Sequence, residues 1–395
     1  MKLLLYSHAF PPTVGGIETI VSSLARGLSK SPQSTNATKI NGANIVVTVV
    51  TQTPAGNFDD TSFPCPIARQ PSFFVLAQLI RAADIVHIAN AALLPMFLAW
   101  LLRKPFVIEH HGYQAICPNG VLLQQPQSTV CPGHFQAGHY RRCIHCESHS
   151  MARLRSIVSV LLNIPRHSLA KRAATNIAVS QHVLKRIALP RTVVIYHGLE
   201  CDPSKTRPPT TTATTHSKKR FGYVGRFVPE KGIPVLLDAA QQLRKLRQDF
   251  EIVLVGDGPQ RPQIEDLIRR AHAEDYVTIT GFLAGENLAD ALNSLDVVVM
   301  PSNWEETAGL AAMEQMARGR LVIVSDIGGL GEIVGGAGLK FPAGDADRLA
   351  DQMGKVLQQN AGVSVLGEAA QNRARSLFLV DRMVAEHRAA YLKLG

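Results

Sequence analysis

Val297-Val298-Val299-Met300-Pro301-Ser302-Asn303-Trp304-Glu305-Glu306-Thr307-Ala308-Gly309-Leu310-Ala311-Ala312-Met313-Glu314 runs from an apolar β-branched segment through a polar loop into a helical pattern. A strand whose loop opens a helix is the repeating unit of a parallel sheet covered on both faces. The loop also carries chemistry. Seven residues separate Glu306 from Glu314, and eight helical steps of about 1.5 Å would set them roughly 12 Å apart, enough to bracket a diphosphate. A helix starting near Thr307 to Gly309 turns its free N–H groups and positive dipole end toward a phosphate. Carboxylates suit sugar hydroxyls as hydrogen-bond acceptors. Acids also favour helix starts where no ligand binds, so the pair alone leaves both readings open.

The same strand-then-helix rhythm extends in both directions. Strands are predicted at Lys2 to Ser7, Asn44 to Thr51, Ile85 to Ile88, Phe106 to Glu109, Asn176 to Val179 and Val193 to Tyr196, then at Phe221 to Val224, Glu251 to Val255, Val277 to Thr280, Val297 to Met300 and Leu321 to Ser325. Between the two series, 201–219 is rich in Pro, Thr, Ser and Lys and lacks apolar periodicity, as a linker does. The expected architecture is α/β: two Rossmann-like domains, 1–200 and 220–375, with parallel sheets facing across a cleft. Helix 376–395 is expected to pack back on the first domain. The length of 395 residues and 46% hydrophobic content fit two soluble domains. A polar stretch, Ser31 to Gly42, joins the first helix to the second strand, and its Asn36-Ala37-Thr38 sequon reads as chance without a secretory signal.

Upstream of the glutamates, Gly225-Arg226-Phe227-Val228-Pro229-Glu230-Lys231-Gly232 also lies between a strand and a helix, bringing Arg226 and Lys231 to the same sheet edge. Two cations there can neutralise a diphosphate leaving group. Further pieces are Phe10-Pro11-Pro12 with Gly15-Gly16-Ile17-Glu18, Val255-Gly256-Asp257-Gly258-Pro259, Thr280-Gly281-Phe282 and Gly328-Gly329-Leu330-Gly331-Glu332-Ile333-Val334. In this order, and over nearly the whole chain, the set resembles the retaining glycosyltransferases of family 4, which have the two-domain GT-B fold.

The resemblance implies a division of labour. Arg226 and Lys231 would grip the donor diphosphate, Gly309 and Leu310 would offer it backbone N–H groups, Glu314 would hold the ribose and Glu306 the sugar. Gly281 and Phe282 would border the base, and Gly15 and Gly16 would let the first loop approach the phosphates, where a Cβ would hinder it. Each of these glycines also suits a tight turn. The donor would be a UDP- or GDP-linked sugar, with no cofactor or catalytic metal. The chain departs from the family in having Thr307-Ala308 after the first acid and Gln315 after the second, which leaves the sugar open.

Phe106-Val107-Ile108-Glu109-His110-His111-Gly112 meets the family pattern of a strand ending in His-Gly, and His111 is expected to face the donor sugar, with His110 its adjacent competitor. Asp345-Ala346-Asp347 resembles a metal-binding D-x-D but reads better as a helix N-cap. Four of the six cysteines, Cys117, Cys131, Cys143 and Cys146, fall within about thirty residues. Their spacing admits a structural zinc or, alternatively, reduced thiols in an acceptor-side loop.

The net charge of +10 favours polyanionic partners. No acid lies between Glu147 and Glu200, whereas Arg153, Arg155, Arg166, Lys171, Arg172, Lys185, Arg186 and Arg191 do. Interleaved with Leu, Ile and Val, they suggest a surface that docks on anionic lipid bearing a glycan or lipid-linked acceptor, or simply a solvated helix face. No aromatics accompany them, which argues against nucleic acid. The longest apolar run, Ala91 to Leu102, is short of the ~20 residues of a membrane span. The expected location is cytoplasmic, peripheral to the inner membrane face. Two alternative readings are a nucleotide-sugar epimerase on the same fold and a non-catalytic membrane-surface binding protein.

Overall fold

The computed structural model describes residues 1–30, 44–200 and 218–394. The stretch Ser31 to Gly42 lies outside the described residues, as does the expected linker 201–219 apart from Lys218 and Lys219. The chain divides into two compact units, one of Met1–Pro126, Cys131–Glu200 and Phe378–Gly395, the other of Gln127–Val130 and Cys201–Leu377.

In chain order the first series runs β1 (Lys2–Ser7), α1 (Gly16–Ser29), β2 (Val46–Thr51), β3 (Ile67–Arg69), α2 (Phe73–Ala82), β4 (Ile85–Ala89), α3 (Leu93–Leu101) and β5 (Phe106–His110). A short hairpin, β6 (Leu123–Gln124) and β7 (Thr129–Val130), then precedes α4 (Tyr140–Ser148), α5 (Arg153–Ala170), β8 (Thr175–Ala178), α6 (Gln181–Ile187) and β9 (Thr192–Val194). Seven of these strands form one sheet in the order β3-β2-β1-β4-β5-β8-β9, parallel throughout. Every residue of β4 and β5 is buried, as expected of strands covered by helices on both faces.

The second series is β10 (Lys219–Val224), α7 (Ile233–Arg244), β11 (Phe250–Val255), α8 (Arg261–Arg270), β12 (Val277–Gly281), α9 (Gly285–Asn293), β13 (Val297–Met300), α10 (Leu310–Ala317), β14 (Leu321–Ser325), α11 (Leu330–Val334), β15 (Leu339–Phe341), α12 (Ala346–Gln358) and α13 (Asn360–Leu377). Its sheet is ordered β12-β11-β10-β13-β14-β15, again parallel. Phe221, Tyr223, Phe227, Phe250 and Ile252 lie at the centre of its core. In both sheets the strand order reverses once, between β1 and β4 and between β10 and β13. At such a switch point neighbouring loops diverge and leave a crevice for ligands.

Helix α14 (Val380–Leu392) closes the first unit. Leu199 N–H donates to the Phe378 carbonyl at 2.7 Å, and Val380 N–H donates back to the Leu199 carbonyl at 3.2 Å. Helix α14 lies against α1, and Phe378, Met383, His387 and Tyr391 are buried. Close approach is built into this junction, since a Cβ on Gly198 would stand 2.5 Å from Val380 Cα and 2.8 Å from the Leu379 carbonyl oxygen. Gly198→Ala is therefore expected to cost about 1–3 kcal/mol of stability. Denaturant unfolding and hydrogen exchange should show the loss, with the amides of α14 deprotected first. Wild-type values in both would refute the close approach.

Candidate active site

The loops after β10 and β13 meet at the switch point of the second sheet. Gly232 adopts φ +67°, in the left-handed region that favours glycine, and a Cβ there would lie 1.9 Å from the Pro301 carbonyl oxygen. Asn303 N–H donates to the Glu230 carbonyl at 2.9 Å. Thus clamped, the loops bring together two side chains 75 positions apart: Lys231 Nζ contacts Glu306 Oε1 directly. The Ser302 hydroxyl donates to the same oxygen at 2.9 Å, and the ammonium stands 5.8 Å above the centre of the Trp304 ring. Glu306 is buried, while Arg226, in the same loop as Lys231, is exposed.

Downstream, Gly309 at φ +66° caps α10, which opens at Leu310 with no side-chain cap on its first N–H groups. The Glu306 loop is fixed from behind, where Gly329 N–H donates to the Glu306 carbonyl at 2.6 Å. Glu314 is exposed on α10, yet the protein around its carboxyl pushes it above the usual carboxylate range. Its open surface is the better guide to whether a ligand reaches it. Gly281 ends β12, and the Phe282 ring beyond it is 69% exposed, unusual for so large an apolar side chain.

The two departures from the family pattern have different surroundings. Thr307 and Ala308 are both buried in the Glu306 loop. Gln315 points into the core, where its Oε1 accepts from Arg320 Nη1 at 2.8 Å. Burial pulls that guanidinium down to about 10, so Gln315 serves to satisfy an interior arginine.

In the first unit, Gly15 is extended at φ −178°, a backbone any residue adopts, and precedes Gly16 at the start of α1. A Cβ on Gly15 would meet only the Glu18 side chain. No turn geometry therefore requires Gly15. His111 is differently placed from the expectation: its side chain is 1% exposed, with Nδ1 3.0 Å from His197 Nε2 and Nε2 3.5 Å from Glu109 Oε2. The imidazole is turned to these buried groups. His110 is a core residue bonded to Asn176 Oδ1 at 2.9 Å, and burial lowers it to about 4. His197, which no sequence motif marks, joins the same buried group, and burial lowers it to about 3.

Residues 218–359 match the family model described as Glycosyl transferases group 1. A 2-deoxystreptamine glucosyltransferase of Streptomyces kanamyceticus is 31% identical over 234 residues, 56% of this chain and 57% of the relative. An alpha-D-kanosaminyltransferase of the same organism is 34% identical over 34% of this chain and 35% of its own length. The chain thus spans about a third to a half of the length of these curated relatives. Among solved structures, sucrose-phosphate synthase from Thermosynechococcus elongatus superposes with a TM-score of 0.71 at 22% identity, covering 100% of this chain and 98% of that one. Anabaena HepE in complex with UDP superposes with a TM-score of 0.70 at 20% identity, covering 99% and 100%.

The chain has the GT-B fold. It is a homologue of glycosyltransferases.

The remaining sequence candidates of this GT-B chain are placed as follows. Asp345 caps α12, its carboxylate accepting from Arg348 N–H at 2.9 Å. Cys117, Cys131, Cys143 and Cys146 line one pocket with His134 and Glu147. They are free thiols, and no three of their sulfurs gather within 4.8 Å of one another. Burial pushes Cys117 and Cys143 up to about 12. The basic stretch is not one uniform surface: Arg191 donates to the Ala173 and Lys171 carbonyls at 2.8 and 2.6 Å, and Arg186 to the Cys131 carbonyl. Arg153 and Arg155 stay exposed at the start of α5.

The clamp at Gly232 generates a test. Gly232→Ala is expected to lower stability by about 1–3 kcal/mol through backbone strain, and more if the Pro301 carbonyl cannot retreat. It should also part Lys231 from Glu306. An unchanged melting temperature in a well-folded variant would show that the loops are not fixed this way.

Proposed function

We propose that this chain is a retaining glycosyltransferase of family 4 that moves a sugar from a nucleotide-diphosphate donor to a hydroxyl acceptor. The observation that carries the reading is the contact of Lys231 with Glu306 at the switch point, with exposed Arg226 and the uncapped start of α10 alongside. Arg226 and Lys231 supply positive charge for a departing diphosphate, and the first N–H groups of α10 add dipole stabilisation. Glu306 takes sugar hydroxyls, Glu314 the ribose, and Phe282 gives the base an apolar surface on which to stack. Since HepE, of like fold, was solved with UDP, a uridine nucleotide is the first donor to test, ahead of a guanosine one.

Retention requires the acceptor hydroxyl to attack the anomeric carbon on the face the diphosphate leaves. The new C–O bond forms as the bond to phosphate breaks, and the acceptor proton passes to a diphosphate oxygen. Catalysis in this scheme is positioning and leaving-group stabilisation. His111 contributes by ordering the end of β5 through its Asn90 and His197 bonds. Arg226→Ala and Lys231→Ala should each lower kcat by about 10²–10³ without loss of fold, measured with a panel of UDP- and GDP-sugars. Near-normal turnover in both variants would defeat the assignment, and an inverted product by NMR would defeat retention.

The acceptor in this reading sits at a lipid surface. Helix α5 exposes Leu154, Val158, Leu161 and Leu162 on one face at i, i+4, i+7 and i+8, while Ser156, Val160 and Asn163 are buried on the other. Beside it α3 exposes Leu94, Phe97, Trp100 and Leu101. A contiguous apolar face of this extent, edged by Arg103, Arg153 and Arg155, suits shallow insertion among anionic headgroups. No helix among the described residues is long and apolar enough to cross a membrane. Replacing both Leu154 and Leu161 with Glu should reduce co-sedimentation with phosphatidylglycerol vesicles by at least about tenfold, given about 1.5–3 kcal/mol per buried leucine. Unchanged binding, or equal binding to neutral vesicles by the wild type, would refute the docking face.

A further inference from the structure

Glu109 ends with no exposed surface in the interior of the first unit, surrounded by imidazoles. Its Oε2 lies 3.2 Å from His87 Nε2, 3.4 Å from His387 Nε2 and 3.5 Å from His111 Nε2, and its Oε1 is 3.9 Å from His197 Nε2. An isolated carboxylate here would cost several kcal/mol. Some cation must balance it, either protons on the rings or a metal ion.

The geometry discriminates between these. A charge-assisted N–H···O bond closes to about 2.7–2.9 Å, shorter than every one of these approaches. Neither oxygen of Glu109 makes a hydrogen bond, and neither do Nε2 of His87 and Nε2 of His387. His387 Nδ1 is held by the Met383 carbonyl at 2.8 Å, which leaves Nε2 as the ring atom that faces the carboxylate. His87 Nδ1 is engaged by the Tyr391 hydroxyl at 2.8 Å. Both rings thus aim their remaining nitrogen at one carboxylate without closing to hydrogen-bond geometry. Ligands bound to zinc at about 2.0–2.1 Å with tetrahedral angles lie roughly 3.3–3.4 Å apart, close to the 3.2 and 3.4 Å of the two ring-to-carboxylate approaches. The three ligand atoms of His87, Glu109 and His387 all fall within 4.8 Å of one another, and each ring's other nitrogen is held by an outer partner, as metal-ligating histidines are.

We propose that His87, Glu109 and His387 form a site for one divalent ion of the zinc class. Two imidazoles and a carboxylate suit such an ion. Two ligands come from β4 and β5 and the third from α14, so the ion would fasten the end of the chain to the first sheet. The ion would take no part in the transfer proposed above, although His111 abuts the same carboxylate.

Full-length protein prepared without a histidine tag is loaded with zinc chloride, dialysed and assayed by mass spectrometry. One equivalent per chain is expected, with His387→Gln losing one equivalent and the double variant Cys143→Ser, Cys146→Ser losing none. Cobalt chloride in place of zinc should give visible d–d bands without thiolate charge transfer. Zinc below a tenth of an equivalent, undiminished zinc in His387→Gln, or a cobalt spectrum dominated by thiolate bands would overturn the proposal. If His387→Gln does not fold, the cysteine double variant decides: cobalt retained without thiolate bands supports the site, and cobalt lost refutes it.

Discussion

The approach of Gly232 to the Pro301 carbonyl is the constraint on which the second unit's chemistry depends. Strands β10 and β13 are neighbours in the sheet, but that fixes only where their loops begin. Backbone contact between the loops fixes where Lys231 and Glu306 end, because no side chain separates the chains at that point. A similar contact occurs on the other side, where a Cβ on Gly256 would stand 2.0 Å from the Gly225 carbonyl oxygen. The loop carrying Arg226 is therefore held from both sides by glycines. Rigid placement of this kind lets two cations act on a leaving group without reorganising at the moment of reaction.

The first unit is organised differently, around a buried charge. Glu109 lies on a strand whose other residues are apolar or bonded inward, and its surroundings are drawn from β4, β5, the segment after β9, and α14. Segments as far apart as His87 and His387 share one polar centre. That explains why the last helix belongs to the first unit: undocking it would expose its own Tyr391 and Met383, together with Phe378, and leave the carboxylate facing fewer partners.

How much of this could be read in the sequence follows from how local each signal is. The central strands announce themselves as short β-branched runs, and the structure places them within two residues of expectation at nearly every end. The edge strands Ile67–Arg69 and Leu339–Phe341 are not legible, because three residues apiece, all half-buried except Phe341, carry too little pattern. The glycine loops were legible as motifs, but not the reason for them, since the atom each glycine admits lies in another segment. Ser302 and Trp304 sat in plain view inside the quoted stretch, yet nothing in one dimension says that Ser302 bonds Glu306. The histidine cluster was least legible of all. His87, His111, His197 and His387 are each unremarkable alone, and only the sheet order and the return of α14 bring them to Glu109.

The charge of the chain shows the same limit from the other side. A run without acids reads as a basic surface, but a cation's effect depends on what its donors meet. Arg186 and Arg191 spend theirs on backbone carbonyls of adjoining segments, and Arg166 bonds Asn163 within its own helix at 2.6 Å. What remains open on α5 is chiefly leucine and valine, with arginine at its start. A surface so composed gains little from long-range attraction alone, which salt screens within about 8–10 Å. It gains more from apolar area once brought close. Charge would then set the orientation of approach and apolar burial the residence, an ordering that the charge count alone would have reversed.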